Sequence, residues 1–199
     1  MFPNNDPVVQ AKLRKLLEEN DIEIHTGEFI GEVDDETVYV GDETELEYDV
    51  LLWAGGITGQ DAAETVAVDK DERSNRIESA SNFRTSDERI FAIGDAALVE
   101  QADTDGPAPP TAQAAWQAAE VAGENIARAV RGQPLKEWRY DDKGTLISVG
   151  EKAVAHNVKG LPVDTFGGPA AKALKKTVAA RWIRKVNGFA DAAKAFPDM

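Results

Sequence analysis

The 199-residue chain contains no cysteine and only two histidines. The absence of cysteine excludes disulfide bonds, thiolate catalysis and cysteine-based metal sites within these residues. His25 and His156 lie far apart in the sequence, without the short spacing of a zinc motif. We therefore predict that the chain holds no metal ion and performs no thiol chemistry.

Long apolar runs are missing as well. No segment approaches the about 18 consecutive apolar residues of a membrane-spanning helix. The first residues, MFPNNDPVV, have neither the basic nor the apolar part of a signal peptide. The hydrophobic content of 42% suffices for the core of one large domain or two small ones. We expect a soluble globular chain on the cytoplasmic side.

Basic residues are scarce over most of the chain, and the net charge of -14 conceals how unevenly they are distributed. Residues 1–150 hold 13 Lys and Arg against 32 Asp and Glu, whereas residues 151–199 hold 9 against 4. So acidic a main body argues against nucleic acid, which is itself a polyanion, as a partner. It indicates a carboxylate surface like that of halophilic proteins in a salt-rich cytoplasm, with a generic acidic surface as the alternative.

The first third of the chain predicts one helix followed by short strands. Asp6 and Pro7 supply an N-cap and a first-turn proline, and apolar residues recur at helical spacing until Asn20. Alternating segments separated by turn residues then predict antiparallel strands. These strands are residues 22–25, 29–33, 37–40 and 45–50.

Two continuous apolar runs end in glycine. Val50–Trp53 precedes Gly55 and Gly56, and in RIFAI, residues 89–93, the four apolar residues after Arg89 precede Gly94. Continuous apolar character predicts strands that are covered on both faces. Because ligands of open α/β sheets bind beyond the carboxyl ends of the strands, the two glycine ends predict two ligand-binding edges.

The remaining segments alternate between loops and regular elements. Residues 57–85 are predicted to be irregular, with DKDERSNR as a solvated loop. The other predicted elements are a helix from Pro110-Thr111 to about Arg131 that ends at Gly132, strands at 145–150 and 153–158, and a last helix at 169–187.

Asp95 and the helix that begins at Thr111 are the candidate binding features. An ionised carboxylate after Gly94 suits a sugar or ribityl hydroxyl, although a turn cap is an equally good interpretation. The helix start attracts negative charge through its N–H groups and dipole. Gln113 and Gln117 share one helix face and could bind a planar carbonyl compound, but charged residues continue the same stripe, which favours a solvated face.

Three segments together resemble the type II NADH:quinone oxidoreductases: RIFAIGDAA (89–97), PPTAQAAWQAA (109–119) and GTLISVGEKAVA (144–155). The resemblance implies that Gly94 and Asp95 hold the ribityl chain of FAD. It also implies that the backbone N–H groups of Ala112 and Gln113 meet the flavin ring.

The same resemblance implies roles for the other cofactor and for the quinone. LLWAGG (51–56) is similar to the end of the family's NADH-binding domain, which places Ala54 and Gly55 on the nicotinamide side. Gln113 and Gln117 correspond to the quinone side. The implied reaction is hydride transfer from NADH to FAD, followed by electron transfer to a membrane quinone. It requires no catalytic acid or base from this chain.

The implied fold is α/β, an incomplete form of a flavoprotein with two dinucleotide-binding domains. Residues 1–56 resemble the C-terminal part of the NADH-binding domain, with antiparallel strands. Residues 57–133 resemble the returning part of the FAD-binding domain, and residues 134–199 a small α+β segment. No GxGxxG occurs in the sequence, whereas the family has one for each dinucleotide.

The missing glycine loops leave two hypotheses open. In the first, the chain is the C-terminal half of such an enzyme, and the reading frame upstream of residue 1 encodes about 170–200 residues with both loops. The isolated chain is then expected to be inactive and free of flavin. In the alternative, it is a non-catalytic remnant that serves as a binding or dimerisation module, with a second copy as a partner.

The last predicted helix, residues 169–187, indicates a membrane-facing role. Its apolar stripe is Leu174, Val178, Trp182 and Val186, and basic residues occupy other positions. A basic amphipathic helix with an interfacial tryptophan is typical of contact with an anionic membrane. The expected location is peripheral, on the inner face of the cell membrane, with an ordinary docking helix as the alternative.

Overall fold

The computed structural model describes residues 6–102, 104 and 106–198. They fall into two compact units. Unit 1 takes the described residues up to Leu52 and those from Lys143 onward, and unit 2 takes those from Trp53 to Asp142. Helices combine with both antiparallel and parallel strand pairs, which confirms the predicted α/β class.

In chain order, the elements are α1 (Pro7–Glu18), β1 (Ile30–Val33), β2 (Thr37–Val40), β3 (Thr44–Glu47), α2 (Asp61–Glu64), β4 (Ile77–Ser79), β5 (Ala97–Val99), α3 (Ala112–Val130), β6 (Thr145–Val149), β7 (Lys152–His156), β8 (Thr165–Gly167), α4 (Pro169–Asn187) and α5 (Phe189–Ala195). Short 3-10 turns lie at Gly94–Ala96 and Phe196–Asp198.

Unit 1 contains two antiparallel sheets, β1-β2-β3 and β6-β7-β8. The helix α1 begins as predicted, because the Asp6 carboxylate accepts a hydrogen bond from the Val8 N–H at 2.7 Å. Its buried residues Val9 and Leu13 pack against Val154 of β7. On the same strand, Ala153 and Ala155 pack against Ala171 of α4.

Unit 2 surrounds a core formed by Phe83, Trp138 and the buried face of α3. The strands β4 and β5 pair in parallel, with Ile77 opposite Ala97. Phe83 is fully buried, and its ring centroid lies 5.4 Å from that of Trp138. Small residues on the inner face of α3 let these aromatic rings approach the helix closely.

Three predicted strands are wrong. Residues 22–25 and Val50–Trp53 adopt no strand, and Val50 and Leu52 are 86% and 88% exposed. Within 89–93, only Phe91 forms an isolated antiparallel bridge, with Arg84. An apolar or alternating run becomes a strand only when another backbone segment accepts its hydrogen bonds, and none of the described residues pairs with Val50–Trp53 as a strand.

Five elements were not predicted: α2, β4, β5, β8 and α5. The first four are three or four residues long, too short to show a hydrophobic period. The helices predicted at 7–20, 111–131 and 169–187 are confirmed, as are strands that overlap 29–33, 37–40, 45–50, 145–150 and 153–158.

Candidate functional site

A tight turn, Gly94–Ala96, carries the leading candidate residues. Gly94 has φ +68°, in the left-handed region that favours glycine. The Ala97 N–H donates to the Gly94 carbonyl and closes the turn. Because β5 begins at Ala97, Gly94 and Asp95 precede a strand instead of following one, which corrects the predicted placement at a carboxyl end.

The Asp95 carboxylate is exposed and has no hydrogen bond or ion pair with any described residue. Its backbone is held nevertheless. The Arg76 Nε donates to the Asp95 carbonyl at 2.8 Å, and Nη2 of the same guanidinium donates to the Ala97 carbonyl. The turn therefore presents an unpaired acceptor on a fixed backbone.

The start of α3 lies beside this turn. Thr111 caps the helix, and its Oγ1 accepts a hydrogen bond from the Ala114 N–H at 3.2 Å. Ala112 is exposed and Gln113 is half-buried at the first two helical positions. An α-helix has no internal acceptors for its first N–H groups, so this end attracts electron-rich groups.

A small cleft joins the turn to the helix start. Its lining includes Gly94, Asp95, Thr111, Ala114 and Ala115. The cavity volume is about 10 Å³, which is close to the space of one water molecule. The cleft can therefore receive only the edge of a ligand, with Asp95 at its rim. An ionised acceptor, small side chains and a helix N-terminus fit a polyhydroxyl chain that is attached to an electron-rich ring.

Gln117 lies one turn further along α3, but its amide is engaged. Its Nε2 donates to the Asp141 carbonyl at 2.8 Å, and its Oε1 accepts from the Asp141 N–H at 3.0 Å. Both ends of the amide thus hold a backbone peptide. The predicted quinone role of Gln117 stays a prediction, and in this conformation its side chain contacts the protein.

Asp141 belongs to a segment without regular structure, residues 134–142, which we call the strap. Side-chain amides hold the strap where a sheet partner is lacking. Asn125 donates to the Lys136 carbonyl at 2.8 Å and accepts from its N–H at 2.9 Å. Gln101 accepts from the Tyr140 N–H at 2.8 Å. These amides keep Trp138 seated in the core of unit 2.

The predicted nicotinamide-side residues lie elsewhere in unit 2. Ala54 and Gly55 are exposed and do not line the cleft. A Cβ on Gly55 would lie 2.7 Å from Cε2 of Trp53, so a larger residue there would displace the indole ring. The structure thus brings Gly94, Asp95 and the start of α3 together, and it leaves Ala54 and Gly55 apart from the cleft.

One ion pair and burial shift the pKa of two groups in unit 2. Arg89, the first residue of RIFAIGDAA, donates to both carboxylate oxygens of Asp87 at 3.0 and 2.6 Å. These hydrogen bonds lower the pKa of Asp87 to about 2. Burial, and then the charge of Asp142, raises the pKa of Tyr140 in the strap. Within the described ranges, no group of three His, Asp or Glu side chains could hold a metal ion.

Arg76 is the site residue that the sequence analysis missed. The segment DKDERSNR, which contains it, was predicted to be a solvated loop, whereas Arg76 is only 7% exposed. Its position directly before Ile77, at the start of β4, was the available signal.

The model of one protein family matches residues 1–119, a range that contains the Gly94–Ala96 turn and the start of α3. That family is described as pyridine nucleotide-disulphide oxidoreductase. The chain belongs to this family. The flavoprotein fold with two dinucleotide-binding domains, which RIFAIGDAA and its neighbouring motifs predict in incomplete form, is thereby confirmed.

Curated relatives narrow the resemblance within the pyridine nucleotide-disulphide oxidoreductases. The type II NADH:quinone oxidoreductase of Haemophilus influenzae is 32% identical over 134 residues, which cover 67% of this chain and 30% of the relative. That of Staphylococcus aureus strain NCTC 8325 is 30% identical over 160 residues, which cover 80% and 37%. The predicted resemblance is confirmed, and the chain spans about a third of the length of these relatives.

Solved structures agree on the fold. An FAD-dependent pyridine nucleotide-disulphide oxidoreductase from Desulfovibrio vulgaris has a TM-score of 0.57 and 24% identity, over 76% of this chain and 38% of that chain. At this identity the likeness concerns the fold alone. FAD is named for that structure and NADH for the curated relatives, and the match to the pyridine nucleotide-disulphide oxidoreductase family supports the two cofactors that the sequence predicts.

Proposed function

We propose that the chain is part of a membrane NADH:quinone oxidoreductase, with FAD as its cofactor and NADH as its substrate. Gly94, Asp95 and the first residues of α3 form the site for the ribityl chain, which we call the seat, and α3 faces the quinone. The observation that carries this proposal is the unpaired Asp95 carboxylate, which lies at a cleft rim beside the start of α3. The two glycine-rich loops that hold the pyrophosphates would come from residues outside this sequence.

Each residue of the seat has a separate task. Asp95 accepts a hydrogen bond from a ribityl hydroxyl, and the Gly94 conformation lets the chain approach closely. The first N–H groups of α3, at Ala112 and Gln113, stabilise negative charge on a reduced ring. Bound FAD would supply the hydride and electron chemistry. Ala54 and Gly55 are assigned to the nicotinamide side.

The quinone side is assigned to Gln113 and Gln117. Gln113 is half-buried at the helix start, where an amide can bond to a quinone carbonyl. Gln117 would first have to release the Asp141 backbone. Leaving that peptide unpaired costs free energy, so a contact between Gln117 and a quinone requires the strap to move.

Reconstitution tests this function. If the upstream reading frame encodes both glycine-rich loops, as the first hypothesis predicts, it would be expressed together with residues 1–199; we call this protein the extended product. We expect it to be yellow, to be reduced by NADH and to pass electrons to a soluble quinone, whereas residues 1–199 alone remain colourless. An extended product that binds FAD but reduces no quinone would refute the quinone assignment.

We also propose that the end of α4 contacts an anionic membrane. Three lysines of α4 bond to other residues of unit 1: Lys172 to Glu151, Lys175 to Ser148 at 2.6 Å, and Lys176 to the Pro197 carbonyl at 3.0 Å. Arg184 and Lys185 occupy the last turn, next to Val186 and Phe189, which are 62% and 75% exposed. Searched over its described ranges, the chain has no helix that is long and apolar enough to cross a bilayer.

Flotation measures this contact. We expect the extended product to float with vesicles rich in anionic lipid, and deletion of residues 169–199 to abolish flotation. Replacing Arg184 and Lys185 by glutamate should weaken binding, since each basic residue near an anionic surface contributes about 1 kcal/mol. Vesicles of zwitterionic lipid serve as the control, and unchanged flotation of the deletion variant would rule out this surface.

The alternative function is that of a non-catalytic module. The exposed apolar run Val50–Trp53 favours it, because such surface is typical of an interface. A stable dimer of residues 1–199 that buries this run, combined with an extended product that binds no flavin, would support the module.

A further inference from the structure

The strongest unexplained feature of unit 2 is a buried cation. Arg76 is only 7% exposed, and among the described residues no carboxylate pairs with it. A buried charge is costly unless hydrogen bonds or an opposite charge compensate it. The guanidinium donates hydrogen bonds to two carbonyls, those of Asp95 and Ala97. Both belong to the segment that carries the candidate carboxylate.

The two bonds bracket the turn. The Asp95 carbonyl lies within it, and the Ala97 carbonyl lies at the first residue of β5. Since a guanidinium is a planar, rigid fork, bonds to both carbonyls fix the peptide planes relative to each other. Ile77, the next residue after Arg76, pairs with Ala97, so the pairing of β4 with β5 holds the Arg76 backbone beside the turn.

We propose that Arg76 is a positioning residue for the seat. It holds the Gly94–Ala96 turn so that the Asp95 carboxylate stays at the cleft rim, and its positive charge, which no described carboxylate neutralises, makes the seat more favourable for an electron-rich ligand. The effect on flavin rests on the proposed function, whereas the hold on the turn does not.

Two substitutions of Arg76 distinguish the effect of its planar pair of donors from the effect of its positive charge. Arg76→Lys keeps the positive charge but loses the planar pair of donors. Arg76→Gln loses the charge. Asn125→Ala serves as a structural control, because it weakens unit 2 through the strap and bonds to no residue of the turn. Arg89→Gln removes a cation from the exposed surface of the same unit.

Amide hydrogen exchange on residues 1–199 tests the hold on the turn without any cofactor. The Ala97 N–H, which closes the turn on the Gly94 carbonyl, is the reporter. We expect both Arg76 variants to exchange at Ala97 about tenfold or more faster than the wild type, the effect of one lost charge-assisted hydrogen bond. The Arg89→Gln protein should keep wild-type exchange at Ala97, and Asn125→Ala, which weakens unit 2 as a whole, should raise exchange at Ala97 no more than at the other protected amides of that unit. Unchanged exchange at Ala97 in Arg76→Gln would overturn the proposal.

The extended product tests the charge. If it binds FAD, the reduction potential of the bound flavin should fall in Arg76→Gln and stay near the wild-type value in Arg76→Lys and Arg89→Gln. Equal potentials in all four proteins would refute the electrostatic part. An extended product that binds no FAD would refute the proposed function, and Ala97 exchange would still decide the role of Arg76 in the turn.

Discussion

Replacing Phe83 by alanine is expected to lower the free energy of unfolding of unit 2 by about 3–5 kcal/mol. Phe83 is fully buried among Trp138 and the small residues of α3, which cannot move inward to fill the space that the ring leaves. The variant loses the buried apolar area of the ring and its contact with Trp138 as well.

Urea unfolding, followed by circular dichroism, measures this change. The matched control is Phe29→Ala in unit 1, since Phe29 is 91% exposed and its removal should change stability by less than about 0.5 kcal/mol. A third variant measures the contribution of backbone strain at Phe83. Phe83 has φ +72°, so Phe83→Gly loses the same ring but relieves backbone strain, and it should be at least as stable as Phe83→Ala. Equal stability of Phe83→Ala and Phe29→Ala would contradict the assigned core.

The helices could be predicted from sequence because their signals are local. Asp6 and Thr111 cap α1 and α3 through hydrogen bonds to residues two and three positions away. The glycine that ends α3, Gly132, adopts φ +65° immediately after the last turn. Periodicity and caps lie in one short window of sequence, so one window suffices to recognise them.

Strands depend on partners that a short window does not contain. Val50–Trp53 is more apolar than β3, yet β3 pairs with β2 and Val50–Trp53 pairs with none of the described strands. The apolar pattern measures how well a segment would suit a buried strand. Pairing is decided elsewhere in the chain, which is why this prediction failed.

In the candidate site as well, the residues with local sequence signals could be predicted and those positioned by distant contacts could not. Asp95 could be identified from its own motif, because an acidic residue after Gly94 is a local signal. Its surroundings could not, since Arg76 lies 19 positions earlier and reaches the turn only through the pairing of β4 with β5. For Gln117, the spacing from Gln113 is a local signal. Its hydrogen-bond partner, Asp141, lies 24 positions later in the chain and could not be predicted from that spacing.

The second large effect is expected at Asp95. In the extended product, Asp95→Ala should weaken FAD binding about 10- to 150-fold, the range that corresponds to one lost hydrogen bond to a charged group. Asp95→Asn keeps a neutral acceptor, so its affinity for FAD should lie between those of the wild type and Asp95→Ala. Asp69→Ala removes an exposed carboxylate from the same unit and should leave affinity within about twofold of the wild type, since it lies outside the cleft.

Thermal unfolding of each variant separates lost affinity from lost fold. The Asp95 carboxylate has no partner among the described residues, so Asp95→Ala should unfold at the same temperature as the wild type in the absence of FAD. The dissociation constant of FAD for the extended product and its Asp95→Ala variant, obtained by titrating flavin fluorescence, decides whether Asp95 holds the flavin. We expect binding to be at least tenfold weaker in the variant, whereas equal dissociation constants would show that the carboxylate makes no contact with FAD.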